Sequence, residues 1–257
     1  MKRRILVNFR IRPEVLAPRV PRPFRLKTVR GWGLAGICLI RLEHLRPGPL
    51  PAWAGLSSEN AAHRIAVSWD SEDGERDGVF ILGRDTNSGV NRWAGGRLFP
   101  GVHRFANFHT FETGGRMEVT VCDGDGVVVS RVVAEATEDW PAESVFGSLA
   151  EASEFFRDGC TGWSRALDGR GIEGAQLEPD WWAMTALKAI AAESRVFQDP
   201  ERFPAGTVEL DSALGMYGIP HTWRNLGLWP APAPERASGS GACPRGTHGP
   251  GALFRFP

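Results

Sequence analysis

The chain has 257 residues, with 30 Lys+Arg against 30 Asp+Glu, so its formal net charge is zero. With 42% hydrophobic and 23% charged residues it has the mix of an ordinary soluble globular protein. That excludes a wholly disordered chain and a small disulfide scaffold, and the neutral balance argues against a nucleic-acid-binding domain, which is normally basic.

Lys2, Lys27 and Lys188 are the only lysines, so few amines are available for Schiff-base chemistry. Cys38, Cys122, Cys160 and Cys243 are scattered without a C-x-x-C pair, which fits a reduced, cytoplasmic protein better than a zinc site or a disulfide framework. The basic start Met1–Arg4 is followed by only three apolar residues before Asn8, so it does not read as a signal peptide. No run approaches the roughly 18 apolar residues of a membrane-spanning helix.

In chain order, Arg4–Ile11 reads as a strand and Pro13–Ala17 as a single helical turn, with Pro at the helix start. Phe24–Val29 and Leu34–Leu42 read as a hairpin across 30–33. Ser58–Trp69 is a long strand, turned at the acidic stretch 70–75 and returned by Gly78–Leu82. His103–Glu112 and Arg116–Cys122 flank Thr113-Gly114-Gly115, a hairpin signal, and Val127–Glu135 follows the next turn. Ser148 and Glu151 form a capping-box pattern for a helix with apolar Leu149, Ala152, Phe155 and Phe156, and Gly159 suits a left-handed C-cap. Ala175–Leu187, Ala191–Phe197 and Thr207–Tyr217 are the later strand candidates. From about Pro230 onward Pro, Gly, Ser and Ala dominate, and 230–257 is expected to be a disordered tail after a single domain of 1–229.

Two stretches carry candidate chemistry. Along the strand 58–69, alternation puts Glu59, Ala61, His63, Ile65 and Val67 on one face and Asn60, Ala62, Arg64, Ala66 and Ser68 on the other. Apolar Ile65 and Val67 turn the first face inward, so Glu59 and His63 continue the inward row, either lining a cavity as proton-transfer groups or forming a paired sheet end with Arg64 in solvent. The glycine-flanked segment 83–101 holds Arg84, Asn87, Arg92 and Arg97, whose forked donors suit a carboxylate or phosphate. In it Asp85 or Thr86 can cap a short helix reaching Trp93. No metal-ligand, phosphate-loop or serine-elbow motif is present, so no cofactor or metal is expected. His103 and His109 read as packing or surface histidines.

Asn8-Phe9-Arg10, Gly36–Leu42, Gly55–Arg64, Gly96–Gly101 and Ser148–Phe156 together resemble the uncharacterised YqjF-like family (domain of unknown function 2071), over roughly residues 4–225. That family is grouped with the acetoacetate decarboxylase-like fold. The resemblance implies a β-rich α+β chain, an antiparallel β-cone or barrel around a cavity with a few short helices. The decarboxylase uses a Schiff-base lysine placed after a loop comparable to 84–101, and this chain has no lysine there. The expectation is therefore a cavity for a small, anionic ligand, with Glu59 or His63 moving protons and Asn60, Arg64, Arg84, Asn87, Arg92 and Arg97 holding the ligand. A non-catalytic binding module, or a homo-oligomer assembled through sheet edges, also fits these residues.

Overall fold

Strand β1 (Arg3–Ile11) shows why the chain does not follow a simple inside–outside alternation: eight of its nine residues are buried. Ile5, Val7 and Phe9 enter one apolar cluster and Leu6 another, because both faces of the sheet are covered. The computed structural model describes residues 1–45, 55–95, 100–169, 171–230 and 253–255.

After β1 come a single helical turn α1 (Pro13–Leu16), the short strands β2 (Arg25–Leu26) and β3 (Thr28–Val29), and the long strands β4 (Trp32–Leu45), β5 (Leu56–Ser71) and β6 (Gly74–Thr86). Helix α2 (Gly89–Ala94) leads to β7 (His103–Phe105), β8 (Asn107–Thr113), β9 (Arg116–Cys122) and β10 (Val128–Ala136). Helix α3 (Leu149–Asp158) precedes β11 (Thr161–Arg165), β12 (Gly171–Pro179), β13 (Thr185–Ser194), β14 (Val208–Tyr217), β15 (His221–Pro230) and β16 (Leu253–Arg255).

These strands form one mostly antiparallel sheet in the order β16-β15-β12-β11-β6-β5-β4-β1-β14-β13-β10-β9-β8, with β2 and β3 as short additions. Among the described residues no ladder closes the sheet end to end. The chain itself links its two arms: β7 pairs in parallel with β6, and one residue later β8 pairs with β9. The strands from β6 through β1 to β8 thus wrap around a core that includes Ile5, Val7, Ile37, Leu39, Ile65, Val119 and Ala213. The strands β11, β12 and β15 continue beyond β6 as an arm. Helix α3 packs Ala152 and Phe156 against Leu6, Cys38 and Leu214 on the other face of the wrapped sheet.

Several local expectations are revised. The hairpin before β4 is made by β3 alone, through the two-residue turn Arg30-Gly31, with both φ values positive (48° and 83°). That is the primed turn whose twist suits a hairpin. Strand β2 pairs with β5 instead. The span 175–187 is not one strand: β12 stops at Pro179, which lacks the N–H a ladder needs, and β13 starts at Thr185. Strand β13 also runs through 191 and ends at Ser194, whose Oγ accepts from Phe197 N. Ser148 does cap α3, its Oγ accepting from Glu151 N at 3.2 Å, but Glu151 reaches back to Gly147 N at 2.6 Å. Gly159 has φ −82°, so the helix ends without a left-handed residue. Strands β11 and β15 add to the strands expected from the sequence. Of the expected tail, Leu253–Arg255 pairs with β15, and 231–252 and 256–257 lie outside the described residues.

Candidate active site

Register places the site. Across the wrapped sheet, Leu6 pairs with Cys38, Cys38 with Ala62, Ala62 with Arg84, and Arg84 with His103. Paired residues share a face, so these side chains form one row. On either side of it run Asn8, Gly36 and Arg64, and Arg4, Ile40 and Asn60. The rows are on the sheet face opposite the wrapped core. The arm β11, β12 and β15 and the end of α3 complete a cavity of about 160 Å³ there, lined among others by Arg4, Arg64, Arg84, Asn60, Asn91, His103, Leu177 and Trp223.

The wall is cationic. Arg64 is 4% exposed and Arg4 9% exposed. No carboxylate among the described residues ion-pairs with Arg4, Arg64 or Arg84. Arg64 Nη2 donates to Asn8 Oδ1 at 2.6 Å, and its guanidinium lies 4.8 Å from the Phe156 ring centre. Behind Asn8 a buried relay runs on: Asn8 Nδ2 donates to Ser212 Oγ at 3.2 Å and Ser212 Oγ to Asp211 Oδ2 at 2.8 Å. The Nε atoms of Arg4 and Arg64 are buried without a hydrogen-bond partner among the described residues. Burial lowers the Arg64 pKa to about 10, with Arg4 adding to the effect against the Cys38 thiol. Burial likewise lowers Arg84 to about 10, opposed by Glu173. Both remain charged at neutral pH. Arg84 Nη1 donates to Ser164 Oγ at 2.6 Å.

His103 is the titratable neighbour. Burial, then the adjacent Arg84 charge, lowers its pKa to about 4, against a hydrogen bond to Gly101 O. Its ring is therefore neutral at pH 7. Nδ1 lies 3.1 Å from the Gly101 carbonyl oxygen, an acceptor only, so Nδ1 carries the proton and Nε2 keeps its lone pair. The neutral amides of Asn60 and Asn91 sit beside them: Asn91 Nδ2 donates to Ser58 Oγ at 3.1 Å and to Asn60 Oδ1 at 3.4 Å.

Of the residues expected from sequence, the cavity gathers Asn60, Arg64 and Arg84. Glu59 and His63 do not line it; they belong to the opposite face of β5, as the alternation required. Glu59 accepts from Arg3 Nη2 at 2.7 Å, and Arg41 lies 3.6 Å away. Its pKa is raised by burial against the pull of Arg3 and Arg41. His63 is fully buried against Phe197, and burial, then Arg104, lowers its pKa to about 4. The single cavity joining Glu59 and His63 to the arginines is thus not formed, because adjacent rows of one strand face opposite sides. Arg64 is not in solvent either: α3 covers it. Asn87 is exposed and its Oδ1 accepts from Glu59 N at 2.9 Å; Arg92 is exposed on α2. Arg97 lies outside the described residues. Asp85 and Thr86 belong to β6, and the cap of α2 is Ser88, whose Oγ accepts from Asn91 N at 3.2 Å. Asp85 instead accepts two hydrogen bonds from Arg104, at 2.9 and 3.1 Å.

Arg4, Asn91 and His103 were missed. Arg4 and Asn91 carry no motif, and His103 meets Arg84 only through the parallel ladder of β6 with β7. None of the three lysines lines the cavity: Lys2 and Lys188 are exposed, and Lys27 pairs with Asp77. Among the described residues no cluster of three His, Cys, Asp or Glu could hold a metal ion, and no helix is long and apolar enough to cross a membrane.

The wrapped sheet, its arm and the few short helices define the acetoacetate decarboxylase-like fold. Solved structures bear this out. An acetoacetate decarboxylase from Legionella pneumophila superposes with a TM-score of 0.55 at 9% identity, over 84% of this chain and 80% of that one. The enduracididine biosynthesis enzyme MppR, complexed with the condensation product of pyruvate and imidazole 4-carboxaldehyde, gives 0.56 at 11% identity, over 88% and 87%. An acetoacetate decarboxylase-like enzyme from Sphingomonas wittichii RW1 gives 0.52 at 12% identity, over 86% of each chain. No family model and no curated protein sequence matches the chain.

Proposed function

We propose that this chain binds a small organic carboxylate in the cavity between the wrapped sheet and its arm, and that His103 moves a proton there. The observation that carries the reading is the burial of Arg4 and Arg64 beside the cavity with no carboxylate ion-paired to either among the described residues; Asp85, which also lines the cavity, is held by Arg104. A buried, unpaired guanidinium costs several kcal/mol, and an incoming anion offsets that cost. Arg64 and Arg84 hold the carboxylate by charge-assisted hydrogen bonds, and Asn60 and Asn91 orient it. The Nε2 lone pair of neutral His103 takes a proton from the carbon next to the bound carboxylate, the C–H electron pair staying on the ligand as an enolate held by Arg64 and Arg84, and the same nitrogen returns the proton. An imine to lysine is not part of this chemistry, since no lysine reaches the cavity. The fold neighbours support the ligand class: two are named for acetoacetate decarboxylase and one carries a pyruvate-derived product. The motif at Gly55–Arg64 is the basis for placing the chain with the YqjF-like proteins, and the free thiols of Cys38, Cys122 and Cys160 suit a reducing, cytoplasmic setting.

Titration calorimetry against acetate, pyruvate, acetoacetate, inorganic phosphate and methylammonium tests it. Binding of carboxylates and not of the cation, lost in Arg84→Met and in Arg64→Met, is the expected result. Equal weak binding of all five, or binding indifferent to both substitutions, overturns it. Exchange of the ligand's α-hydrogen with deuterated solvent, lost in His103→Gln with binding retained, tests the proton step.

A further inference from the structure

The two walls of the cavity differ in kind. Among the described residues, every cation that lines it comes from the wrapped sheet: Arg4 from β1, Arg64 from β5, Arg84 from β6. The arm contributes Gly162, Ala175, Leu177 and Trp223, with no charge and no hydrogen-bonding group but the Trp223 indole N–H. Residues of β4 and β6 extend this surface with Ile40, Leu42, Val79 and Ile81. Asp85, a carboxylate in the lining, is already held by Arg104.

A formate-sized or pyruvate-sized anion would satisfy the cationic wall and leave the arm's apolar surface against water. Water in such a space finds few polar partners on the arm side. From this asymmetry we infer that the ligand is a carboxylate with an apolar body, an aliphatic or aryl chain of several carbons, its head on Arg64 and Arg84 and its tail against Leu177 and Trp223. The inference rests on the anion reading above and adds the tail. Ala175 sets how much tail fits, because it is the smallest side chain on the arm wall, whereas the space before Gly162 is already taken: a Cβ there would stand 3.1 Å from Ile81 Cδ1. Gly162 and Ala175 are also register partners, so they stand side by side in one row of that wall.

The test is calorimetry on the full chain with straight-chain carboxylates from acetate to octanoate, plus phenylacetate. Affinity should rise about four-fold for each added methylene until the cavity is full, then level off. Ala175→Leu fills tail space and touches no cation. It should weaken the longest ligand that fits by about ten-fold or more and leave acetate unchanged, with an unaltered melting temperature showing that the fold is intact. A flat series whose members all still depend on Arg84 overturns the tail and leaves the anion reading standing. Equal loss for acetate and octanoate in Ala175→Leu also overturns the tail. If no carboxylate of any length binds, the anion reading itself fails.

Discussion

Arg64 on β5 reaches across β4 to Asn8 on β1, its Nη2 donating to Oδ1 at 2.6 Å, and the residue it crosses is Gly36. The side chain can take this path because nothing projects from Gly36. A Cβ there would overlap the Val7 carbonyl oxygen and stand 3.3 Å from Asn8 Cα. Both neighbours are backbone and cannot swing aside. Gly36→Ala should therefore destabilise the protein by about 1–3 kcal/mol or more, read as a lower urea midpoint at unchanged slope. A midpoint equal to wild type would show that the strands spread at no cost.

Removing the guanidinium at the far end of that contact should have the reverse balance. Arg64 is buried without a carboxylate, and an apolar side chain of similar volume avoids its desolvation. Asn8 Oδ1 then loses its donor, which costs about 1–3 kcal/mol. These effects nearly cancel, so Arg64→Met should fold with a stability close to wild type while carboxylate binding is lost. Denaturation without ligand and calorimetry with it are the two measurements. A strongly destabilised Arg64→Met would mean that its bond to Asn8 and its stacking on Phe156 are structural, and that no ligand is needed to explain its burial.

Glu59 should behave as a structural residue. Arg3 is buried between Glu59 and Glu112, ion-paired to both. Arg3→Met leaves the largely buried Glu59 carboxylate with only the half-exposed Arg41 at 3.6 Å among the described residues, so it should cost about 1–3 kcal/mol, less than the roughly 3–5 kcal/mol of a fully stranded charge. Arg3→Met combined with Glu59→Leu should recover much of that loss. Neither change should alter carboxylate affinity, since Glu59 faces away from the cavity. Loss of binding in Glu59→Gln at wild-type stability would return Glu59 to the ligand site.

His63 stands in apolar packing with neither ring nitrogen bonded among the described residues. Replacing it with Leu removes that unmet demand and should stabilise the fold by about 1–3 kcal/mol at neutral pH. Its folded pKa, about 4, lies below the ordinary value of 6.5. The unfolded chain therefore takes up a proton that the folded chain refuses between these limits. Stability falls as pH drops from 6.5 to 4, by up to about 1.4 kcal/mol per pH unit for each such histidine. His103 and His221, lowered to about 4 and about 3 by burial, act in the same direction. Glu59 and Asp85, raised by burial, act oppositely, favouring the fold where they are protonated. The difference between wild type and His63→Leu isolates one histidine: the gap should widen on acidification from pH 6.5 to 4. A constant gap would mean that His63 finds a partner in solution.

Local chemistry was legible in the sequence wherever the signal is short-range. The β5 alternation sorted Glu59, His63 and Ile65 from Asn60, Arg64 and Ala66 correctly, because side chains of any strand alternate. The two-glycine turn before β9 and the Ser148 cap were readable for the same reason: each depends on residues within four positions. The strands β11 and β15 were not, because their lengths and breaks follow from pairing with distant partners and from the Gly227 irregularity, where φ is 80°.

What the sequence by itself determined is the membership of each face: which side chains of β5 and β6 travel together, and that arginine, not lysine, supplies the charge. Only the tertiary structure decided which face carries the cavity. Period-two alternation separates two sides without ranking them, and here both sides of β5 are covered, one by the wrapped core and the other by α3 and the arm. The pairing of Arg84 with His103 crosses a loop and a helix, and the apolar wall opposite them is placed by ladders between strands far apart in the chain, β11 with β6 and β12 with β15. Such ladders are fixed by burial of the whole sheet, so no local pattern encodes them.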